Sequence, residues 1–249
     1  MLRKLPFFIC SLLLIVACEP PQPEVTKEKN PAADGFNLEA SDTEAIAVAD
    51  KVMEAMGGRE NWDNTKIISW TFFGRRTHTW DKSTGRNRID IPNGNLVIDM
   101  NIHTKEGSVT RNGTAITEPD SVDIFMQRGY EMWVNDSYWL VMPYKLKDSG
   151  VTLTYMGIDN DQDGNGAHKL QLAFNDVGVT PQNRYHIFVD TTQNLITQWE
   201  YFRDSTATEP NISTPWAEYA QYGDILLSSS RGRGSMDNIK VMDTWPDFE

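Results

Sequence analysis

The chain has 249 residues and is acidic, with 35 Asp and Glu against 23 Lys and Arg and a formal net charge of −12. Nucleic-acid binding requires a basic surface that complements phosphate, so this composition excludes nucleic acid as an expected partner. With 8 Trp, 8 Tyr and 10 Phe, the chain has enough aromatic area to fill a core or to line a cavity.

Residues 1–17 have the organisation of a secretory signal peptide. A positive start, Arg3 and Lys4, precedes an apolar stretch at residues 5–16, which is too short to cross a hydrocarbon core of about 30 Å as a helix. The stretch ends in Ile15-Val16-Ala17-Cys18, which resembles the lipobox of bacterial lipoproteins, where the cysteine receives the lipid. An ordinary signal peptide or an uncleaved N-terminal anchor is the alternative.

A lipid on Cys18 implies a protein of the bacterial cell envelope. Several acyl chains, at about 0.8 kcal/mol per buried methylene, give stable anchoring. We therefore predict attachment to a membrane, the outer membrane in our interpretation, with the choice between its periplasmic and surface faces left open. Cys10, the other of the 2 cysteines, lies in the predicted signal peptide. The mature chain then has no second thiol for a disulfide, for catalysis or for zinc.

The rest of the chain divides into a tether and a domain. Residues 18–40 are rich in Pro, Glu, Lys and Asn and lack a hydrophobic period, so we predict a lipidated cysteine followed by a flexible tether. Residues 41–249 are predicted to form a single domain. The sequence contains no internal repeat of the length typical of solenoids or propellers.

The domain begins with two predicted helices. Ser41 and Glu44 form a capping-box pattern that places the first helix start at Ser41. A broad apolar face continues to Met56, and Gly57-Gly58 is a typical helix end. A short second helix is predicted at residues 59–64, with Trp62 facing inward.

From Thr65 onward the hydrophobic period changes to two, which is typical of β-strands. Short alternating runs are separated by turn signals every ten to twelve residues or so. One helical interruption is predicted from Pro119 to Val134, expected to pack against or plug the sheet. The pattern indicates a mainly β (α+β) fold, namely a curved antiparallel sheet or half-open β-barrel with an N-terminal helix and an inserted helix. The clearest alternating runs contain Ile68-Trp70-Phe72, Leu96-Ile98-Met100-Ile102, Val151–Ile158, His168–Phe174, Ile187-Val189 and Ile196-Gln198.

This arrangement resembles a family of known fold. The segments that carry the resemblance are Met56–Trp62, Trp139–Leu146, Tyr185–Asp190 with Trp199–Tyr201, and Trp216–Gly223. Together with the lipobox they look like the lipoprotein carriers LolA and LolB, and like uncharacterised lipoproteins of Bacteroidetes-type bacteria. The resemblance covers roughly residues 41–249. It implies a half-open barrel that cups an acyl chain or another apolar ligand under a helical lid, but it identifies no ligand-contacting residue.

Catalytic signatures are missing from the sequence, so we predict that the protein is not an enzyme. None of the four histidines (His78, His103, His168 and His186) has a partner at metal-binding spacing, and we interpret each as a solvated or hydrogen-bonded surface residue. No Gly-x-Ser-x-Gly motif occurs. The acidic pairs Asp120/Asp123 and Asp159/Asp161 are interpreted as surface acids. Residues 133–139, rich in aromatics, are interpreted as core or rim side chains rather than as a sugar platform.

Residues 159–166, DNDQDGNG, match the first half of a calcium-binding EF-hand loop. Asp159, Asp161 and Asp163 would be the metal ligands, and Gly164 occupies the required sixth position. The twelfth position, however, is Leu170 instead of a bidentate Glu, which predicts at best weak binding, with a Kd on the order of 10⁻⁴–10⁻³ M. A polar hairpin turn explains the same residues, and no other cofactor is predicted.

These observations lead to one hypothesis and one alternative. The hypothesis is a membrane-anchored envelope lipoprotein that binds or handles an apolar ligand, either a lipid or the acyl part of a lipoprotein, without catalysis. The alternative is a surface lipoprotein that binds glycans or proteins through exposed aromatic side chains.

Overall fold

The computed structural model of the protein describes residues 28–174 and 182–248. The predicted signal peptide and the predicted lipidation site, Cys18, lie outside these residues. The helices in this part of the chain are α1 (Thr43–Ala55), α2 (Arg59–Asn64), α3 (Pro119–Val141) and a 3₁₀-helix (Met142–Lys145). The strands are β1 (Ile67–Phe72), β2 (Arg76–Asp81), β3 (Arg86–Ile91), β4 (Leu96–Asn101), β5 (Gly107–Arg111), β6 (Thr114–Ile116), β7 (Val151–Asn160), β8 (Gly166–Phe174), β9 (Arg184–Asp190), β10 (Ile196–Phe202), β11 (Ile212–Pro215), β12 (Ala217–Tyr222), β13 (Ile225–Ser230) and β14 (Met236–Met242).

The strands form three antiparallel sheets. The largest has seven strands in the order β14-β1-β2-β3-β4-β5-β6, the second has five in the order β11-β10-β9-β8-β7, and β12 pairs with β13 alone. Among the described residues, no ladder joins the seven-stranded sheet to the five-stranded sheet, so the sheets do not close into one barrel. The predicted mainly β fold, with curved antiparallel sheet, an N-terminal helix and an inserted helix, is confirmed.

Helix α1 ends as predicted but begins differently. Gly57 and Gly58 have φ of 112° and 88°, and the Gly58 N–H donates to Met53 O at 2.8 Å, which is a Schellman end. The predicted capping box is wrong, because Asp42 is the N-cap residue and makes no side-chain cap hydrogen bond. The Ser41 hydroxyl instead accepts a hydrogen bond from the Leu153 N–H of β7 at 3.0 Å. The side chain that was predicted to cap α1 is therefore bonded to an edge strand of the five-stranded sheet.

The described end of the predicted tether packs against the domain. Phe36 is buried, the Ala33 N–H donates to Lys147 O, and the Asn37 N–H donates to Val151 O, each at 3.0 Å. Lys147, itself buried, pairs with Asp50 of α1 at 2.7 Å. Residues 28–40 are therefore fastened to the domain rather than lying free of it, and the packed region begins before Ser41.

Helix α3 continues seven residues beyond the predicted end at Val134, to Val141 (141 − 134 = 7). Its first half packs on β3, β4 and β5, where Met126 joins Ile89, Ile98 and Met100 in a small core. Gly129 permits this close approach, because a Cβ there would lie 2.8 Å from the Met100 sulfur. The second half of α3 projects toward the five-stranded sheet.

The main core lies between α1, β1 and the inward faces of the five-stranded sheet and the β12–β13 pair. Strand β1 is buried along nearly its whole length, and Ile68, Trp70 and Phe72 belong to this core. Trp62 of α2 is buried, as predicted, and stacks on Tyr144 at a centroid distance of 4.3 Å. No helix in residues 28–174 or 182–248 combines the length and the apolar character that crossing a membrane requires.

Candidate functional site

A cavity of about 460 Å³ lies between the second half of α3 and the five-stranded sheet. Its volume falls in the range of roughly 300–1,000 Å³ that is usual for small-molecule sites. Seven aromatic side chains of the described residues line it, together with a few polar and charged groups. The lining aromatics are Trp133, Tyr138, Trp139, Phe174, Tyr185, Trp199 and Tyr201, and the lining charged residues are Glu131, Lys145 and Asp148.

One helical face forms the first wall. Glu131, Val134, Asn135 and Tyr138 all line the cavity, and their spacing of i, i+3, i+4 and i+7 places them on one side of a helix. The segment that was interpreted as core or rim aromatics therefore contributes to a cavity. The extension of α3 beyond Val134 adds the Tyr138 and Trp139 rings to the lining of the cavity.

Neighbouring strands form the opposite wall. Tyr185 of β9 lies directly opposite Tyr201 of β10, and Trp199 is two positions along the same strand, so the three rings share one face of the sheet. Val151 of β7 pairs with Phe174 of β8 in the same way and closes one end. The period-two pattern of these strands thus brings residues from distant parts of the chain to one surface.

The rings meet at several angles. Tyr185 is nearly parallel to Trp199, with an interplanar angle of 21° and a centroid distance of 5.1 Å. Phe174 is nearly perpendicular to Tyr185, at 88° and 5.4 Å, and Trp139 meets Trp199 edge-on at 64° and 4.4 Å. Each such pair contributes about 0.5–1.5 kcal/mol beyond its area burial, so the walls of the cavity are stabilised by their mutual contacts.

Tyr138 and Tyr185 are neutral hydrogen-bonding groups at physiological pH. Burial, with smaller contributions from Tyr185 and Asp148, raises the pKa of Tyr138 well above its ordinary value. Burial likewise raises the pKa of Tyr185 to about 12, although a hydrogen bond with Asn183 opposes the shift. The Tyr138 hydroxyl is buried and has no hydrogen-bond partner among the described residues. A ligand atom that accepts its hydrogen would satisfy this group.

The charged residues lie at the edge of the cavity. Lys145 and Asp148 form an ion pair, and each is about one-third exposed. Glu131 is exposed and accepts the Gln127 amide at 2.8 Å. Among the described residues that line the cavity, two carboxylates stand against one ammonium, which gives them a formal charge of −1 (−2 + 1).

A buried ion-pair network holds α3 in place beside the cavity. The Asp136 carboxylate accepts two hydrogen bonds from the Arg76 guanidinium, at 2.5 and 2.7 Å. It also bonds His78 Nε2 at 2.8 Å and accepts the Asn135 amide at 2.9 Å. His78 and Asp136 are completely buried, and the His78 ring stacks on Trp70 at 4.8 Å. Because Asn135 lines the cavity, the network connects β2 directly to the cavity wall.

Hydrogen bonding outweighs burial at Asp136. Burial favours the neutral acid, but the hydrogen bonds from His78 and Arg76 favour the carboxylate, and the pKa of Asp136 lies below its ordinary value of 3.8. The network therefore stabilises the fold fully at neutral pH. That contribution is lost as the pH falls through the lowered pKa of the folded state.

The interpretation of all four histidines as surface residues is wrong for His78 and His186. Both are buried, and His186 Nδ1 lies 3.2 Å from a Glu200 carboxylate oxygen on the outer face of the five-stranded sheet. His103 is exposed, and His168 is half-buried, 3.0 Å from the Tyr155 hydroxyl. The burial of His78 could have been predicted from its position two residues before Trp80, because both side chains then lie on the inward face of β2.

Of the three predicted metal ligands, Asp159 lies near the end of β7, and Asp161 and Asp163 lie in the turn between β7 and β8. The Asp161 carboxylate accepts the N–H groups of Asp163 and Asn165 at 3.0 and 2.9 Å, and Asp159 pairs with Lys169 at 3.1 Å. In the described ranges, no group of three or more His, Cys, Asp or Glu side chains is placed to hold a metal ion. The polar hairpin turn is confirmed, whereas a ligand set for calcium is not assembled there.

Calcium at millimolar concentration, on the order of the Kd of weak extracellular sites, is expected to leave the melting temperature unchanged. The reason is that Asp161 already accepts backbone N–H groups and Asp159 is paired. Thermal melts with and without calcium, with magnesium as the control cation, check this. A rise specific to calcium that disappears in Asp161→Ala would contradict it.

Replacing Asp136 with Asn is expected to lower the free energy of unfolding by about 3 kcal/mol, because Arg76 and His78 would lose their buried partner. The matched control is Asp99→Asn, which removes a similar two-bond pair with Arg86 at the exposed outer face and should cost less than about 1 kcal/mol. Denaturant unfolding measures both values. As the pH falls below the ordinary carboxyl pKa, wild type should lose more stability than Asp136→Asn, because only wild type loses the contribution of this carboxylate. Equal effects of Asp136→Asn and Asp99→Asn would contradict the importance of the buried network.

No family model and no curated protein sequence matches the chain. Among solved structures, the chain is similar to the crystal structure of a DUF1329 family protein from Desulfovibrio piger, with a TM-score of 0.42 and 13% sequence identity. The match covers 79% of this chain and 92% of that one. A similarity at this level carries no inference about the activity or the ligand of this chain.

Proposed function

We propose that the protein is a membrane-anchored lipoprotein of the bacterial cell envelope that binds an apolar ligand without catalysis. The ligand is a lipid or the acyl part of a lipoprotein, and its site is the aromatic cavity. The observation that carries this proposal is the convergence of seven aromatic side chains from α3 and the five-stranded sheet on one cavity of about 460 Å³.

The energetics favour an apolar ligand. Burying apolar surface contributes roughly 25 cal/mol per Å², and aromatic walls supply that surface with little loss of side-chain entropy because each ring has few rotatable bonds. Ring–ring contacts hold several of the walls in position before a ligand arrives. Such a preformed apolar cavity with few polar groups is the usual form of a small-molecule site.

The chemistry of the lining supports binding rather than catalysis. General acid–base catalysis is most effective when a group has its pKa near the working pH. The pKa of Tyr138 is far above that range, and no histidine is among the described residues that line the cavity.

A glycan is the second candidate ligand, favoured by one geometric feature. Tyr185, Trp199 and Tyr201 form a series of tilted to nearly parallel rings, with interplanar angles of 21°, 33° and 15°. Such a series is suited to stacking against the flat face of a sugar. The confined position of these rings, between α3 and the sheet, favours the apolar ligand instead.

Filling the cavity is expected to abolish binding of an apolar fluorescent probe. Val134 lines the cavity and is half-buried, so Val134→Trp places a large ring where the ligand would lie. The matched control is Val97→Trp, at a half-buried valine on β4 outside the cavity. Probe fluorescence should rise with wild type and with the control, and it should stay at the background level with Val134→Trp.

Competition with the bound probe separates the two candidate ligands. A long-chain fatty alcohol should displace the probe, whereas soluble oligosaccharides should not. Binding of oligosaccharides that Tyr201→Leu abolishes, without displacement by the alcohol, would replace the apolar ligand with the glycan.

The anchor is tested by the two cysteines of the chain. Because Cys18 is the proposed lipidation site, Cys18→Ala should abolish incorporation of a labelled fatty acid and move the protein to the soluble fraction. Cys10→Ala, which changes the other cysteine within the predicted signal peptide, should leave labelling and membrane fractionation intact. Labelling that persists in Cys18→Ala would refute anchoring at this residue.

A further inference from the structure

Cationic side chains lie over aromatic rings in many parts of this protein, but not in the cavity. Nine rings among residues 28–174 and 182–248 have a Lys or Arg group over them, for example Trp216 with Arg231 at 3.4 Å and Trp62 with Lys82 at 3.6 Å. None of these nine rings belongs to the seven that line the cavity; they are those of Phe72, Trp62, Trp245, Phe248, Tyr130, Phe125, Phe188, Phe202 and Trp216. The seven rings that line the cavity thus have no Lys or Arg group over their faces among the described residues.

The charges at the cavity complement a positive ligand. Lys145 is paired with Asp148, which neutralises its charge locally and leaves the Glu131 carboxylate as the remaining charge among the described residues of the lining. The formal charge of the whole chain is −12. An anionic headgroup would face repulsion here, whereas a cationic headgroup would be attracted both on approach and when bound.

The geometry of the rings suits a compact cation. A ring attracts a cation that lies over its face within about 6 Å of the centroid, and Trp and Tyr are among the most effective rings. The Phe174 plane is at 88° to that of Tyr185 and at 71° to that of Tyr138, so ring faces are presented in more than one direction. Alkylated ammonium groups fit such aromatic surroundings because they are apolar on the outside and carry a diffuse charge.

We propose that the cavity selects an amphiphile whose head is an alkylated ammonium group and whose tail is an acyl or alkyl chain. This inference rests on the proposed function, since it specifies the head of the apolar ligand, but it can fail separately. A neutral or anionic amphiphile would then be the ligand, and the cavity would remain an apolar site.

Three probes with the same ten-carbon chain and different heads test the proposal: decyltrimethylammonium, 1-decanol and undecanoate, each below micelle-forming concentration. Calorimetry with the wild-type domain should give a Kd for the ammonium probe roughly fivefold or more below that of decanol, with undecanoate weakest. Choline, which has the head without the chain, should bind more than about tenfold more weakly than decyltrimethylammonium.

Two pairs of variants separate the cavity from the acidic surface. Tyr201→Leu removes a ring without changing charge and should abolish the preference for the ammonium probe, whereas Tyr201→Phe should retain it. Glu131→Gln should weaken only the ammonium probe, and Glu60→Gln, at an exposed glutamate of α2, should not. Circular dichroism checks that each variant is folded.

The possible results distinguish the inference from the proposed function. Equal binding of all three chain-bearing probes would overturn the ammonium preference and leave the apolar site standing. An ammonium preference that persists in Tyr201→Leu would assign it to the acidic surface and also overturn the inference. Choline binding as tightly as decyltrimethylammonium would overturn the requirement for a tail, and no binding of any probe would overturn both proposals.

Discussion

The structure around the cavity depends on one buried carboxylate. Asp136 lies on α3 and is bonded by Arg76 and His78 of β2, which are 60 and 58 positions away in the chain. Withdrawing such charges from water costs several kcal/mol per ion, and the cost is offset only where the hydrogen bonding is nearly complete. Here four hydrogen bonds surround one carboxylate. The network therefore fixes both the position and the rotation of α3. Removing one member would leave the remaining buried charged groups without one of their hydrogen-bond partners.

That fixed rotation determines what α3 presents to the five-stranded sheet. Asn135 and Ser137, on each side of Asp136, both line the cavity, as does Tyr138. The sheet supplies a complementary set of rings through ordinary strand pairing, with Tyr185 opposite Tyr201. Helix α3 is thus attached to the seven-stranded sheet through the Asp136 network and faces an aromatic wall on the five-stranded sheet. In the proposed function, the attachment keeps the cavity open and the rings bind the ligand.

Local patterns in the sequence predict much of the fold but not the cavity. Helix α2 has the predicted bounds, and Gly57-Gly58 ends α1 through the left-handed conformation that glycine adopts readily. The extension of α3 was missed because Asn135, Asp136 and Ser137 are weak helix formers, each less favourable than Ala by up to about 0.7 kcal/mol. Hydrogen bonds to a charged group, at about 1.5–3 kcal/mol each, outweigh that preference, and their partners on β2 are not visible locally. Similarly, alternation predicts which ring lies on which strand face, but only the tertiary fold shows that α3 meets the rings of β9 and β10.

In the proposed function, the aromatic cavity holds an apolar ligand in the cell envelope. Native mass spectrometry can detect such a ligand in protein extracted from the producing cells with mild detergent, with Val134→Trp prepared in parallel. Wild type should retain a non-covalent amphiphile that is separate in mass from any lipid on Cys18 and absent from the cavity-filled variant. Wild-type protein without a bound amphiphile, or a bound species equally abundant in Val134→Trp, would contradict the proposed function.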